Sequence, residues 1–363
     1  MVFFQLNVTG LLFQSFRTAS PICAARQSNI ELLRCVSMFM VLMMHTSFIT
    51  FGFPTVEGTK NEPLFCGLQT LQYSVAIVAV NVFVMISGWF SIKPKTKGIT
   101  SFLFQVAFLK LLSFGFFVLA GYLALDKTSL ADLLMLKPYT GWFIKAYILL
   151  YILAPVLNAF VANTNRHVYK RVLFFYFVFI FSFGWFKDIT GYMMGGYSIS
   201  MFVGLYLLAR YVKVYSPSWS KFSKQKDFII YLLATMVTFS GIYIPVCLGL
   251  PHCDTFVQAF TRYSSPFVVL GALFFLLMFS KLNIGAKTGI NTIAKSCFAV
   301  YLLHFMWGIL PKVLINLYDN NSITMFYIKL VGLLLVIFFS CILIDRVRIE
   351  IWNKISSKLF CKN

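Results

Sequence analysis

The chain has 363 residues, 60% of them hydrophobic and only 12% charged, with a mean hydropathy of +0.82. Soluble domains carry roughly 25% charged residues, so this composition excludes a soluble globular or disordered protein and indicates an integral membrane one. The net charge of +20 would suit a nucleic-acid binder, but its placement along the chain argues for a membrane and against nucleic acid.

Residues 1–29 carry Arg17 and Arg26 but no basic stretch ahead of their apolar part, so a cleaved signal peptide is not expected. They read as an N-terminal cytosolic lead-in or as an upstream extension. Apolar runs of about 20 residues then follow one another. They fall near 30–51, 72–92, 99–125, 140–162, 171–187, 197–215, 227–249, 263–281, 293–317 and 323–345. The fold class expected is all-α, a polytopic membrane helical bundle of about ten transmembrane helices with both termini cytosolic. One transmembrane domain would occupy 30–345, and a basic cytosolic tail 346–363.

Charge tests that orientation. Twenty-two of the 31 Lys and Arg fall on the side expected to be cytosolic, six fall on the outer side, and Lys110, Lys145 and Lys329 lie within spans. In alternating short loops this is a strong positive-inside pattern.

The first span, NIELLRCVSMFMVLMMHTSFITF, holds Arg34 and His45. Eleven residues are almost three helical turns, so both project from one face, about 16 Å apart along the axis. An imidazole at mid-depth can take a proton from a hydroxyl or form a transient covalent bond. A guanidinium at the inner edge can grip phosphate or, more plainly, snorkel and pair with Glu31 one turn earlier.

Asn81, Ser87 and Gly88 in the second span read as helix-contact residues. Lys110 lies eleven residues into the third span, too deep to reach either surface easily, and is a candidate to hold an anionic substrate or developing oxyanion charge. In the fourth span Tyr147 and Asn158 flank Pro155, and Trp142 and Trp185 stand where interfacial aromatics are expected. His167 and His252 fall in loops. His304, in SCFAVYLLHFMW, sits eleven residues into the ninth span, at a depth comparable with His45, as a second catalytic candidate.

The eight cysteines show no metal-ligand spacing; only Cys66 and Cys253 fall in outer loops where a disulfide could form. There is no P-loop, dinucleotide fingerprint, HExxH or GxSxG. Every Asp and Glu maps to a loop or span end, which counts against a proton-coupled transporter.

From about Asn29 to the last span the sequence resembles the integral-membrane acyltransferase family 3, in particular its polysaccharide O-acetyltransferase branch. The opening NIELLRCVSMFMVLMMH is similar to the family's first helix with its Arg-x10-His pattern, here Arg34 and His45. VFVMISGWF, WFIKAYILLYILAPVLNAF, GGYSISMFVGLYLLARYV, YSSPFVVLGALFF and SCFAVYLLHFMW follow in the family's order.

The resemblance implies a membrane O-acyltransferase of the bacterial inner (plasma) membrane. It would carry an acyl group, usually acetyl, from cytosolic acyl-CoA to a hydroxyl of a cell-envelope polysaccharide or lipid-linked glycan. The partners implied are acetyl-CoA as donor substrate, with no permanently bound cofactor or metal, a glycan acceptor and membrane lipids. His45 would be catalytic, and so would His304, which falls in the family's YLxH stretch; Arg34 would bind the donor, and Lys110 stands in the third helix, where many relatives carry arginines. A different class stays open: a polytopic carrier or flippase for a lipid-linked glycan.

Overall fold

The computed structural model describes residues 26–137, 140–187, 191–304 and 309–360. Most of the expected lead-in therefore lies outside the described residues, as do Phe305, Met306 and Trp307 of the SCFAVYLLHFMW stretch.

The chain enters through α1 (Ser28–Phe51), turns in the short α2 (Val56–Asn61) and returns as α3 (Pro63–Ala76) and α4 (Val78–Phe90). α5 (Thr96–Leu119) and the short α6 (Lys127–Leu133) precede α7 (Trp142–Asn163), α8 (Arg166–Gly184) and α9 (Ile199–Tyr215). α10 (Lys224–Cys247), α11 (Cys253–Phe260), α12 (Pro266–Ser280), α13 (Thr288–Ala294), α14 (Cys297–Leu303), α15 (Ile309–Asp319) and α16 (Ile323–Phe360) complete it. Among the described residues there is no strand. Among the described residues seven helical stretches are long and apolar enough to cross a membrane, α3 and α4 together forming one, and α12 is a shorter apolar helix. The protein is an all-α polytopic bundle, as expected from composition.

Local chemistry sets the turns. Asn165 caps α8 by accepting the Val168 N–H at 3.0 Å, and Ser223 caps α10 in the same way. Pro63 and Pro266 stand in the first turns of α3 and α12, where a missing N–H costs nothing. Large apolar side chains such as Leu119, Phe174, Ile152 and Val336 point outward. On a membrane protein that is the surface offered to lipid.

Several element boundaries differ from those expected. The second span begins at Pro63, nine residues before the apolar run suggested. Along it lie Gln69, which reads as loop, and Gln72, which reads as the first residue of the span. Both side chains instead donate into α1: Gln69 to the Ser47 and Gly52 carbonyls at 3.2 and 3.1 Å, Gln72 to the Met43 carbonyl at 2.7 Å. Amides are tolerated at such a helix contact because their N–H groups find carbonyl partners there.

The ninth span is not one helix. α13 ends at Ala294, α14 occupies only Cys297–Leu303, and α15 starts at Ile309. Interrupted helices survive at membrane depth where the freed backbone lines a cavity or is covered by protein. His167 lies in the first turn of α8, in place of a loop, and Cys66 and Cys253 are both helical and free.

At the other end, α16 continues as one helix through the boundary expected at 345/346. Asp345 is fully buried there, taking two hydrogen bonds from Arg348 (2.9 and 2.8 Å) and one from Gln105 of α5 (3.1 Å). Removing one member of such a buried ionic group typically costs about 3–5 kcal/mol, because a charge is left uncompensated. Asp345 thus ties α16 to α5, a cavity-lining helix.

α4 and α9 cross closely at Gly88, where an added Cβ would strike the Tyr206 backbone carbonyl. Backbone cannot yield as a side-chain tip can. Gly88→Val is expected to destabilise the bundle by about 1–3 kcal/mol through overpacking. A fall in the thermal unfolding midpoint of the purified protein is the readout; an unchanged midpoint would show that the crossing is looser than described.

Candidate active site

α1, α4, α5, α7 and α14 surround a cavity of about 970 Å³. One face of α1 supplies a wall, with Arg34, Met38, Val41, His45 and Phe48 recurring every three or four residues. All four residues singled out from sequence, Arg34, His45, Lys110 and His304, line this one cavity.

Their partners differ in kind. Arg34 bonds Glu31 at 3.0 Å, one turn back, and Arg26 stands 3.7 Å from the same buried carboxylate. The plain pairing expected for Arg34 is therefore present, while one edge of its five-donor fork is all that Glu31 engages. Lys110 donates to the Asp132 carbonyl of α6 at 3.0 Å, so its ammonium is drawn to the short helix that follows α5.

His45 and His304 meet directly. His45 Nδ1 lies 2.6 Å from His304 Nε2, with the rings 16° from parallel and their centroids 4.8 Å apart. Two nitrogens at 2.6 Å are closer than stacked ring planes can approach, so the rings lie nearly coplanar, edge to edge. His304 Nδ1 is 2.8 Å from the Val300 carbonyl, one turn back in α14.

A carbonyl only accepts, so in a neutral His304 the proton sits on Nδ1 and Nε2 carries the lone pair. His45 must then donate from Nδ1, which places its own lone pair on Nε2. The hydrogen-bond network thus assigns the tautomer of both rings. His304 stands at the C-cap of α14 and is almost fully buried.

The fixed ring stands on a fixed helix. Gln72, on α3, bonds the carbonyl of Met43 and the hydroxyl of Thr46, the residues flanking His45 on α1. Ser87 and Tyr147 meet across the cavity at 3.3 Å. At the far end from Arg34 the lining is aromatic. Trp142 packs on Tyr263 with centroids 5.7 Å apart and planes at 29°, and Tyr197 lies 4.9 Å from Tyr263.

Gly196, at φ +94°, permits that approach: a Cβ there would run into Tyr263 and the Ser264 amide. The Tyr263 carbonyl accepts from Asn81 at 3.0 Å, giving the second-span asparagine a definite task.

Sequence reasoning missed Tyr197, Tyr263, Tyr301 and Gln105 as lining residues, and placed Trp142 in an interfacial belt with no view of the cavity. Aromatics are too common here, at 18% of the chain, for any one to signal a site. Only the GGY pair ahead of α9 carried a usable hint, through glycine at a close approach.

The arrangement provides a cation at one end, an oriented imidazole with its lone pair on Nε2 midway, and an aromatic vestibule beyond. Such a set can remove a proton from a hydroxyl beside an activated acyl group. Comparison with known proteins agrees in class. A family model described as an acyltransferase domain matches residues 27–346. No curated protein and no solved structure matches the chain.

Proposed function

The chain belongs to the membrane acyltransferase family that this domain describes, and from that premise we propose that it is an O-acetyltransferase of the cell envelope. The donor is cytosolic acetyl-CoA, the acceptor a hydroxyl of a cell-envelope polysaccharide or lipid-linked glycan, and the setting a bacterial inner membrane. The observation that carries this reading is the coplanar His45–His304 pair at mid-cavity, between the Arg34 end and the aromatic end.

Donor phosphate is held at Arg34, whose remaining N–H groups suit phosphate oxygens. The pantetheine arm then reaches along the α1 face toward His45, about 16 Å away by helix rise. The acceptor enters from the end lined by Trp142, Tyr197 and Tyr263. Its hydroxyl oxygen attacks the thioester carbonyl as His45 Nε2 takes the proton. The C–S bond breaks, and the CoA thiolate leaves with the proton returned from the imidazolium.

A thioester is already activated, so positioning and proton removal account for much of the rate. A transient acyl-His45 would use the same Nε2 lone pair. His304 accepts the His45 proton bond and cannot also donate to an oxyanion from Nε2, so its role is that of a positioning residue. Lys110 contributes positive charge beside the developing oxyanion or the acceptor.

The test is direct. Membranes containing the protein, given acetyl-labelled CoA, should deposit label on envelope glycan, and mass spectrometry of that glycan should show one acetyl increment absent without the gene. Label that stays entirely in CoA, with glycan masses unchanged, would overturn the proposal and favour a carrier of lipid-linked glycan.

A further inference from the structure

A second cavity, of about 590 Å³, lies apart from the site, in the cleft between α8, the last turns of α9 and the segment that follows them. Along α8, Arg166, Lys170, Leu173, Phe177 and Phe181 recur every three or four residues and form one continuous wall. That stripe changes character once. It opens with exposed cations, Arg166 and Lys170, and continues as apolar side chains, with Leu208 facing it from α9.

Two magnitudes decide what such a cleft can hold. From Lys170 to Phe181 the helix rises about 16 Å, close to the half-thickness, about 15 Å, of a bilayer's hydrocarbon core. The cationic end belongs to the basic rim that charge bias places at the cytosolic surface, where anionic lipid headgroups are met. None of the described residues lining the cleft is acidic. An apolar cleft opening sideways, with its phosphate-binding groups at headgroup depth, matches a lipid and not a soluble ligand.

We propose that this groove is a binding site for a phospholipid with a net negative headgroup. Arg166 and Lys170 take the phosphate, and one acyl chain lies along Leu173, Phe177 and Phe181 against Leu208. A zwitterionic headgroup offers the same phosphate but also an ammonium, which the two cations repel. The proposal is independent of which acceptor the acyltransferase uses.

Native mass spectrometry of the purified full-length protein tests it, with phosphatidylglycerol and phosphatidylcholine of equal chain length supplied together. The wild type is expected to retain the anionic lipid about tenfold or more over the zwitterionic one. Arg166→Gln/Lys170→Gln, both at exposed positions, should reduce that preference to near parity, and Leu208→Trp should lower retention of either lipid by filling the cleft. If Leu208→Trp does not elute as a monodisperse species, the charge variant alone decides.

Equal retention of the two lipids by the wild type would overturn the proposal. So would an undiminished preference in the double variant, or a thermal stabilisation by inorganic phosphate as large as that by phosphatidylglycerol, which would make this a free-anion site.

Discussion

His45→Ala is expected to reduce acetyl transfer to glycan by about 10²–10⁴-fold, the usual contribution of a positioned general base, with the protein present in membranes at normal level. The ring projects from the C-terminal third of α1 into the cavity, so truncation leaves the wall of the cavity intact and removes the proton acceptor. Retention of donor binding separates this from a folding defect: acetyl-CoA should still stabilise the variant thermally, because Arg34 lies about three turns away. Transfer at wild-type rate by His45→Ala membranes would sink the assignment. Label appearing on the wild-type protein and released by mild hydroxylamine would instead assign Nε2 as an acyl carrier.

The second large effect is expected at His304. His304→Leu removes the acceptor for His45 Nδ1–H, so His45 loses the contact that sets its tautomer and ring plane. Loss of a tautomer-fixing partner in a comparable dyad costs up to about 10⁴-fold in kcat, and about 10²-fold is expected here because the ring remains held by its own helix. His304→Gln provides the discriminating measurement. Its side-chain oxygen reaches the position of Nε2 and can accept the same hydrogen bond, so it should recover much of kcat with little change in KM. If Gln is as impaired as Leu, while both variants keep wild-type thermal stability, His304 does not act through the His45 proton.

Much of this was legible in the chain itself. Hydropathy and the bias of Lys and Arg are properties of local segments, so membrane residence and helical class follow without tertiary information. The shared face of Arg34 and His45 is equally local, since helical geometry fixes the relation of residues eleven apart. Glu31 beside Arg34 follows from the same rule and is found at 3.0 Å.

Boundaries failed where polar side chains took unexpected partners. Gln69 looks like a loop residue and Gln72 like the edge of a span until α1 is placed against them, and the ninth apolar run looks continuous until its backbone is seen to break between α13 and α14. The depth of His304 was readable; its contact was not.

By itself, the sequence determined that this is a helical membrane protein with a cation and an imidazole on one face of its first long helix. Tertiary structure alone decided that His45 and His304, 259 positions apart, meet at hydrogen-bond distance, that Lys110 turns to α6, and that Trp142, Tyr197 and Tyr263 line the opposite end of the cavity. The reason is physical. Periodicity and hydropathy fix what each helix presents, whereas which faces meet depends on packing among many apolar surfaces that, in lipid, are chemically almost alike.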